Sequence, residues 1–391
     1  MSSPPSRLLH LLRDQSIAKR VLEAPETDMG LAELEPFPFL AIVGQEEMKL
    51  ALLLAVINPL VGGVLLIGSR GTAKTTAVRS LVDILPLRLQ SLCPNGCTEE
   101  ILEEQGLDGI CENCAKRVGY GEPLTVEDRV RIVELPLNAE LRDVVGGIDE
   151  RLALEQRRLR LEQGILAQAD GNILYIDEVN LLDDMVSDAI LDAASQGFYT
   201  VRRGPLNLRY RARFLLIGSM NPEEGKLRPQ IMDRFGLRVV VRGLADPELR
   251  FRAYEQAVTY GLQPERLAAA FAEETLLLAL EVERARNRLP EITIGSEAKE
   301  LGLNLIQKLG IASSRAEITL FEAARAHAAA DERPEVLKAD IEAVTLISLR
   351  MRQSTGLPDF MRQQQSEDDM LKALIADDIS DQVRERQKTK S

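Results

Sequence analysis

The sequence predicts an α/β protein: a three-layer αβα nucleotide-binding core carrying a cysteine-containing insertion and a β-hairpin, followed by an all-α domain. Three observations carry this expectation. Short apolar runs alternate with helical segments between Phe37 and Ala245, which implies a mostly parallel sheet covered on both faces. One of those runs passes directly into Gly68-Ser69-Arg70-Gly71-Thr72-Ala73-Lys74-Thr75, a phosphate loop of the Walker A kind. From Asp246 the pattern changes to long amphipathic helices.

Residues 1–36 join a short helical stretch, Leu8 to Leu12, to four prolines, and are expected to form a loosely attached arm. The core is expected over 37–245. Glu46 to Ile57 has helical periodicity, Gly62 to Ile67 is a buried-strand run, and Thr76 to Val82 suits a helix. Residues 90–133 are polar and irregular and hold all four cysteines, so they read as an insertion. Ile132 to Pro136 resembles a strand, and Leu141 to Gly164 a loop leading to a charged helix with Arg151, Arg157, Arg158 and Arg160. Asn172 to Ile176 is a buried strand ending in Asp177 and Glu178. Asp184 to Ser195 is helical, and residues 197–213 alternate about Gly204-Pro205 as a β-hairpin does. Arg213 to Ser219 and Val239 to Val241 complete the strands. Helices over Pro247 to Tyr260, Pro264 to Arg286 and Glu297 to Leu309 begin a helical domain expected over 246–352, and 353–391 reads as a polar tail that is mobile or a solvated helix.

Composition narrows the function classes. An apolar fraction of 45% beside 28% charged residues is that of a globular chain, and no apolar run is long enough to span a bilayer. The N-terminal sequence lacks a secretory pattern, so a bacterial cytoplasmic location is expected. A formal charge of −13 opposes broad attraction to nucleic acid or an anionic membrane. The two histidines, His10 and His327, do not suggest a metal cluster.

The phosphate loop predicts a bound nucleoside triphosphate. Successive backbone N–H groups from Gly68 through Ala73 would wrap the phosphates, aided by the positive end of the following helix. Lys74 would reach the β- and γ-phosphates, and the Thr75 hydroxyl would ligate a bridging Mg²⁺. Ala73 stands where the second signature glycine belongs; its methyl matters only if that backbone requires a positive φ, and it reads as a tolerated variation. Asp177 and Glu178 form a Walker B pair, the first to hold Mg²⁺ through its water shell, the second to orient and deprotonate the attacking water. Asn221, at the end of the next strand, either positions that water or forms a turn with Pro222. Arg234 is a candidate to stabilise charge on a neighbouring subunit's nucleotide, against the plainer reading of a solvated arginine.

This order of motifs resembles an AAA+ ATPase, and more narrowly the I subunit of magnesium chelatase. The resemblance runs from about Phe37 to Arg350. It is carried by Ile42-Val43-Gly44-Gln45, the phosphate loop, Val144 to Asp149, Ile176-Asp177-Glu178-Val179-Asn180, Asn221 to Gly225 and Leu227-Arg228-Pro229-Gln230. It implies that Asn221 is sensor 1, Arg234 the arginine finger and Arg315 the sensor 2 residue, Arg315 being otherwise a capping or surface arginine. It also implies a homo-oligomeric, hexameric ring with ATP sites between subunits. Such a ring works with D and H subunits to insert Mg²⁺ into protoporphyrin IX for chlorophyll or bacteriochlorophyll. Two other readings stand beside it: a MoxR-like remodelling chaperone, and a nucleic-acid motor, supported only by Arg202, Arg203, Arg209, Arg211 and Arg213 on the hairpin.

The insertion departs from the familiar members of that family. Cys93-Pro94-Asn95-Gly96-Cys97 and Cys111-Glu112-Asn113-Cys114 are two cysteine pairs whose thiolates could close a structural Zn²⁺ site. Redox-sensitive thiols and plain free cysteines are the alternatives.

Overall fold

The structure, a computed structural model, describes residues 36–85, 87–93, 96–148, 161–203, 206–225 and 227–352, with the backbone alone at 148, 161–163, 203 and 206–208. The expected arm (to residue 35), the charged helix around Arg151 to Arg160 and the tail from 353 lie outside the described residues.

The strands of the core domain are Val64–Ile67 (β1), Leu87–Ser91 (β2), Thr125–Arg129 (β3), Ile132–Leu135 (β4), Gly146–Ile148 (β5), Leu161–Gln163 (β6), Ile173–Ile176 (β7), Phe198–Arg203 (β8), Leu206–Arg211 (β9), Leu215–Met220 (β10) and Leu237–Val240 (β11). Five of them form the central sheet in the order β11-β1-β10-β7-β4. Every neighbouring pair is parallel. Strands β1, β7 and β10 are buried along their whole length, which is why they read as continuous apolar runs rather than alternating ones. The register sets Ile67 beside Met220, and Ile176 beside Gly218 and Leu135, so the loops after β1, β7 and β10 emerge at one edge of the sheet.

The two faces have separate cores. Leu65, Ile67, Leu174, Ile176 and Leu216 point to one, packed by Ile190 and Leu191 of helix Asp184–Gln196. Val64, Leu66, Tyr175, Ile217 and Val239 point to the other, which continues without a break into Leu278, Val282, Leu320, Ala324 and Ile347 of the helical domain. Helix Glu46–Ile57 lies between them. All its side chains from Met48 to Ile57 are buried, so it is enclosed on every side instead of showing one polar face.

The helical domain contains Pro247–Leu262, Pro264–Arg288, Ser296–Lys308, Arg315–Ala330 and Lys338–Leu349, with a two-residue parallel bridge between Thr293–Ile294 and Glu335–Val336. Asp246 caps its first helix by accepting from the Glu248 N–H at 2.9 Å, with Pro247 at the first helical position. Arg238, inside β11 and 1% exposed, ties the end of this domain to the sheet: its Nη1 donates to the carbonyls of Met351 at 2.6 Å and Arg350 at 3.2 Å.

The insertion is more ordered than its polar sequence suggests. β2 and β3 pair as an antiparallel ribbon from Leu87↔Arg129 to Ser91↔Thr125, and helices Glu99–Gln105 and Glu112–Gly119 lie between them. Its side chains are mostly half-exposed, and its own core is small, so periodicity alone left few signals. Among the described residues no helix is long and apolar enough to cross a membrane.

Candidate nucleotide-hydrolysis site

β1 ends at Ile67 and the chain runs through residues 68–73 before entering helix Lys74–Arg79. A Cβ on Gly68 would lie 2.3 Å from the Val241 carbonyl oxygen, so only glycine lets the loop leave the sheet there. Gly71 has φ 77°. Ala73 also lies in the left-handed region, with φ 64° and ψ 21°. The position therefore meets the one condition under which its methyl matters, a positive φ, at a cost to an L-residue of about 1–2 kcal/mol.

Lys74 is buried, and its Nζ donates to the carbonyls of Gly68 and Ser69, each at 2.7 Å. Desolvation lowers its pKa, opposed by the negative charges of Asp177, Glu178 and Glu224. The loop, the Walker B pair and Asn221 line one cavity of about 280 Å³.

Asp177 and Glu178 leave β7 at the same edge. The Thr75 hydroxyl stands 3.4 Å from Asp177 Oδ2 and 3.1 Å from the Tyr175 hydroxyl. Tyr175 donates to Asp177 Oδ1 at 3.1 Å, and Ser219 Oγ donates to the same oxygen. Burial pushes the Tyr175 phenol up to about 12, so it remains a donor across the working pH range. Thr75 and Asp177 thus present hard oxygen donors side by side, the ligand type that Mg²⁺ takes. Glu178 has φ 51° and ψ 53°, a left-handed backbone in a residue that pays about 1–3 kcal/mol to adopt it. Its N–H donates to Ser219 Oγ at 3.2 Å, and Arg70 Nη2 lies 3.3 Å from its Oε1. Arg70 also reaches Glu224 Oε1 at 2.6 Å, to which Asn221 Nδ2 donates at 3.2 Å.

A second cavity, about 950 Å³, opens beside the loop. Val43, Gln45, Ala73, Arg79, Leu244 and Tyr260 are among its lining residues. The Phe37 and Tyr260 rings meet edge to face with centroids 5.2 Å apart, and Gln45 Nε2 donates to the Arg242 carbonyl at 2.7 Å. Its apolar wall and its shared edge with the phosphate loop give room for a planar base.

Arg234 and Arg315 are not brought to this cavity. Both line a separate one of about 300 Å³ with Gly62 and Gly63, which precede β1, so they stand at the opposite edge of the sheet from Lys74. Arg315 Nη1 donates to Asp233 Oδ2 at 2.8 Å, and Arg234 Nη2 lies 3.8 Å from Asp192 Oδ1.

Tyr175, Ser219 and Glu224 were not singled out from the sequence. The first two had a signal: Tyr175 precedes Asp177, and Ser219 precedes Asn221, by two residues on a strand, and period two puts each pair on one face. Glu224 had none, since its role depends on how the loop after Asn221 folds back toward Arg70.

The hairpin forms as expected, with β8 and β9 antiparallel from Phe198↔Arg211 to Arg203↔Leu206. Its arginines are partly engaged within the chain. The Arg209 guanidinium sits 3.3 Å above the Phe198 ring, and Arg211 Nη1 donates to the Gly96 carbonyl at 3.1 Å.

The four cysteines converge. All their sulfur atoms lie within 4.8 Å of one another, with Cys93 Sγ 3.6 Å from Cys97 Sγ and 3.7 Å from Cys111 Sγ, and none forms a disulfide.

An AAA lid domain family matches residues 303–374. The magnesium-chelatase subunit ChlI homolog of Methanocaldococcus jannaschii is 40% identical over 334 residues, which span 85% of this chain and 90% of that protein. Magnesium-chelatase subunit ChlI of Synechocystis sp. is 41% identical over 317 residues, 81% of this chain and 88% of its own. Subunit ChlI-2 of Arabidopsis thaliana, chloroplastic, is 40% identical over 334 residues, 85% of this chain and 79% of its own. A chain of a solved complex between subunits BchI and BchD of magnesium chelatase is 36% identical, covering 83% of this chain and 99% of that one, at a TM-score of 0.45. With Walker A, Walker B and Asn221 gathered at one sheet edge and a helical domain behind them, the chain belongs to the magnesium-chelatase ChlI family of AAA+ ATPases.

Proposed function

We propose that this chain hydrolyses ATP at sites shared between neighbouring copies in a hexameric ring. We further propose that the ring drives a magnesium chelatase, working with D and H subunits to insert Mg²⁺ into protoporphyrin IX. The observation that carries the first part is the division of the site. Lys74, Thr75, Asp177, Glu178 and Asn221 gather at one edge of the sheet, while Arg234 and Arg315 share a cavity at the other. One chain holds a binding half and a charge-stabilising half that cannot meet within it, so a second copy completes each site.

In this reading the loop N–H groups and Lys74 bind the β- and γ-phosphates, and the base enters the cavity beside Tyr260. Thr75 and Asp177 would hold Mg²⁺, with Tyr175 and Ser219 orienting the Asp177 carboxylate. The ion would supply neutralisation of phosphate charge. Glu178 accepts a proton from the attacking water, and Asn221 orients that water. Arg234 and Arg315 of the neighbouring copy balance the negative charge that spreads over the γ-phosphoryl oxygens. In this reading the porphyrin chemistry belongs to a partner subunit, and this chain supplies the ATP-driven step.

Reconstitution tests the assignment. The chain, cognate D and H subunits, protoporphyrin IX, Mg²⁺ and ATP are expected to yield the magnesium porphyrin, read by its fluorescence, and omission of this chain abolishes it. ATP hydrolysis that ignores the D and H subunits but rises with single-stranded DNA would instead support the nucleic-acid motor.

A further inference from the structure

We propose that Cys93, Cys97, Cys111 and Cys114 bind one Zn²⁺ as four thiolates, and that this ion closes the β2–β3 insertion into a module that seats the β8–β9 hairpin. The site is separate from the hydrolysis site and no part of the ATP reaction uses it.

The sulfur geometry is the first argument. Zn²⁺ bound to four thiolates has Zn–S bonds of about 2.3 Å, which sets the sulfur atoms of a tetrahedron about 3.8 Å apart. The distances from Cys93 to Cys97 and Cys111 are 3.6 and 3.7 Å, and all four sulfur atoms fall within 4.8 Å. A disulfide needs about 2.05 Å, so the cluster is set at ligand spacing and not at bonding distance. The ligand loops are also built for it. Gly96, with φ 72°, donates its N–H to the Cys93 carbonyl at 3.0 Å. Ser91 Oγ donates to the Cys97 carbonyl at 2.6 Å. The Cys111 N–H donates to Cys97 Sγ at 3.3 Å, a contact that favours a thiolate.

Folding energetics is the second argument. The buried core of this module is Cys97, Ile110, Cys114 and Leu124, and two of those four are ligands. So little apolar burial does not stabilise a unit of this size, whereas a structural Zn²⁺ contributes folding free energy directly. Binding releases the four thiol protons to solvent and forms four Zn–S bonds, with no change of oxidation state. The choice of metal follows from the donors: four sulfurs in a tetrahedron suit Zn²⁺ or an iron centre, and iron announces itself by colour.

The link to the hairpin is direct. Arg211 of β9 donates to the Gly96 carbonyl inside the ligand loop, and its Nε lies 3.7 Å from Asp170 Oδ2. Loss of the ion frees Gly96 and with it one anchor of the hairpin.

Elemental analysis of the untagged full-length chain is expected to give about one zinc per chain, and X-ray absorption about four sulfur neighbours at about 2.3 Å. A mercurial should release the zinc from the native protein while ATP still binds, and limited proteolysis should then cut within 93–124. Cys97→Ser and Cys114→Ser are expected to lose the metal; because these variants can misfold, the wild-type measurements decide. Zinc-free native protein with four titratable thiols, two disulfides, or iron with visible absorption would each overturn the proposal.

Discussion

The Thr75 hydroxyl and the Asp177 carboxylate stand 3.4 Å apart although 102 residues separate them in sequence. The parallel pairing of β1, β10 and β7 makes that meeting. Glu178 is the next residue, and its left-handed backbone turns its carboxylate toward the phosphate loop, where Arg70 meets it. Glu178→Gln keeps the size of the side chain and removes the carboxylate proposed to accept the proton. It should bind ATP at close to normal affinity and hydrolyse it about 10²–10⁴-fold more slowly. Lys74→Ala should lose binding itself. Steady-state hydrolysis alongside fluorescent-nucleotide titration separates the two, and a normal turnover rate in either variant would sink the site assignment.

Arg234 and Arg315 line one cavity at the far edge of the sheet, so their loss should leave nucleotide binding by a single chain intact. Turnover in the assembled protein should fall by about 10³-fold or more for Arg234→Ala, the range in which a charge-stabilising arginine acts on phosphoryl transfer. Mixing supplies the sharper test. Arg234→Ala chains retain Glu178, and Glu178→Gln chains retain Arg234, so co-assembly regenerates some complete sites. A mixture of these two inactive variants should recover activity. If it remains as inactive as its parts, the two residues do not serve a shared site.

Ala73→Gly should stabilise the phosphate loop. Glycine removes the cost of a left-handed L-residue, about 1–2 kcal/mol, and adds backbone entropy to the unfolded chain, roughly 0.5–1 kcal/mol. The net gain is about 0.5–1 kcal/mol, visible as a rise of a few degrees or less in the melting temperature. Ala73→Val, with a branched Cβ in the same backbone, should lose stability. Thermal unfolding of both variants checks the pair. A glycine variant that melts below the parent would mean that Ala73 is not left-handed in solution.

The contrast between these residues explains what the sequence disclosed. The phosphate loop and the Asp177-Glu178 pair are legible because each is a local string whose chemistry follows from adjacent residue types. The sheet was legible for a similar reason, since buried parallel strands are short apolar runs. The conformation of Ala73 was not, because a positive φ is imposed by the path from β1 into the helix and leaves no mark on an alanine. Glu224 and the separation of Arg315 from Lys74 depend on long-range packing. Nor did the helix from Glu46 to Ile57 announce that the sheet and the helical domain share one core across it. The cysteine spacing pointed to a metal module, while the β2–β3 ribbon that carries it has too little burial to show a clear period.

Asp340 anchors a charge network inside the helical domain. It is fully buried, accepts from His327 Nδ1 at 2.6 Å and from the Leu337 N–H at 2.7 Å, and is held by both terminal nitrogens of Arg333. Burial alone would raise its pKa, but the hydrogen bonds from Arg333, His327 and Leu337 outweigh that and set it at about 2. The folded value lies below the unfolded one, so the stabilisation is complete above the ordinary carboxyl pKa of about 4 and is lost as pH falls toward 2. Asp340→Asn leaves the partly exposed Arg333 paired with Asp331, 3.0 Å away, but removes the buried carboxylate that accepts from Arg333, His327 and Leu337, and should cost about 1.5–3 kcal/mol. Chemical denaturation at pH 7 and pH 3 checks both statements. A variant as stable as the parent at pH 7 would remove the network from the account of this domain.

Lys49 gives the opposite pH dependence. It lies in the enclosed helix Glu46–Ile57, 2% exposed, between the sheet and the helical domain. Desolvation drives its pKa down from 10.5 to about 8, with only the charge of Glu46 opposing it. Below pH 8 the ammonium is charged in both states and the folded protein carries the full cost of burying it. Between pH 8 and the unfolded value near 10.5 the unfolded chain binds more protons, so this group adds stability as pH rises. Lys49→Met keeps the aliphatic length and removes the charge. At pH 7 it should stabilise the chain by roughly 2–3 kcal/mol, and near pH 10.5 the gain should shrink toward zero. Unfolding curves of both proteins at the two pH values measure it, and a loss of stability on substitution at pH 7 would show that the ammonium makes a net favourable contact.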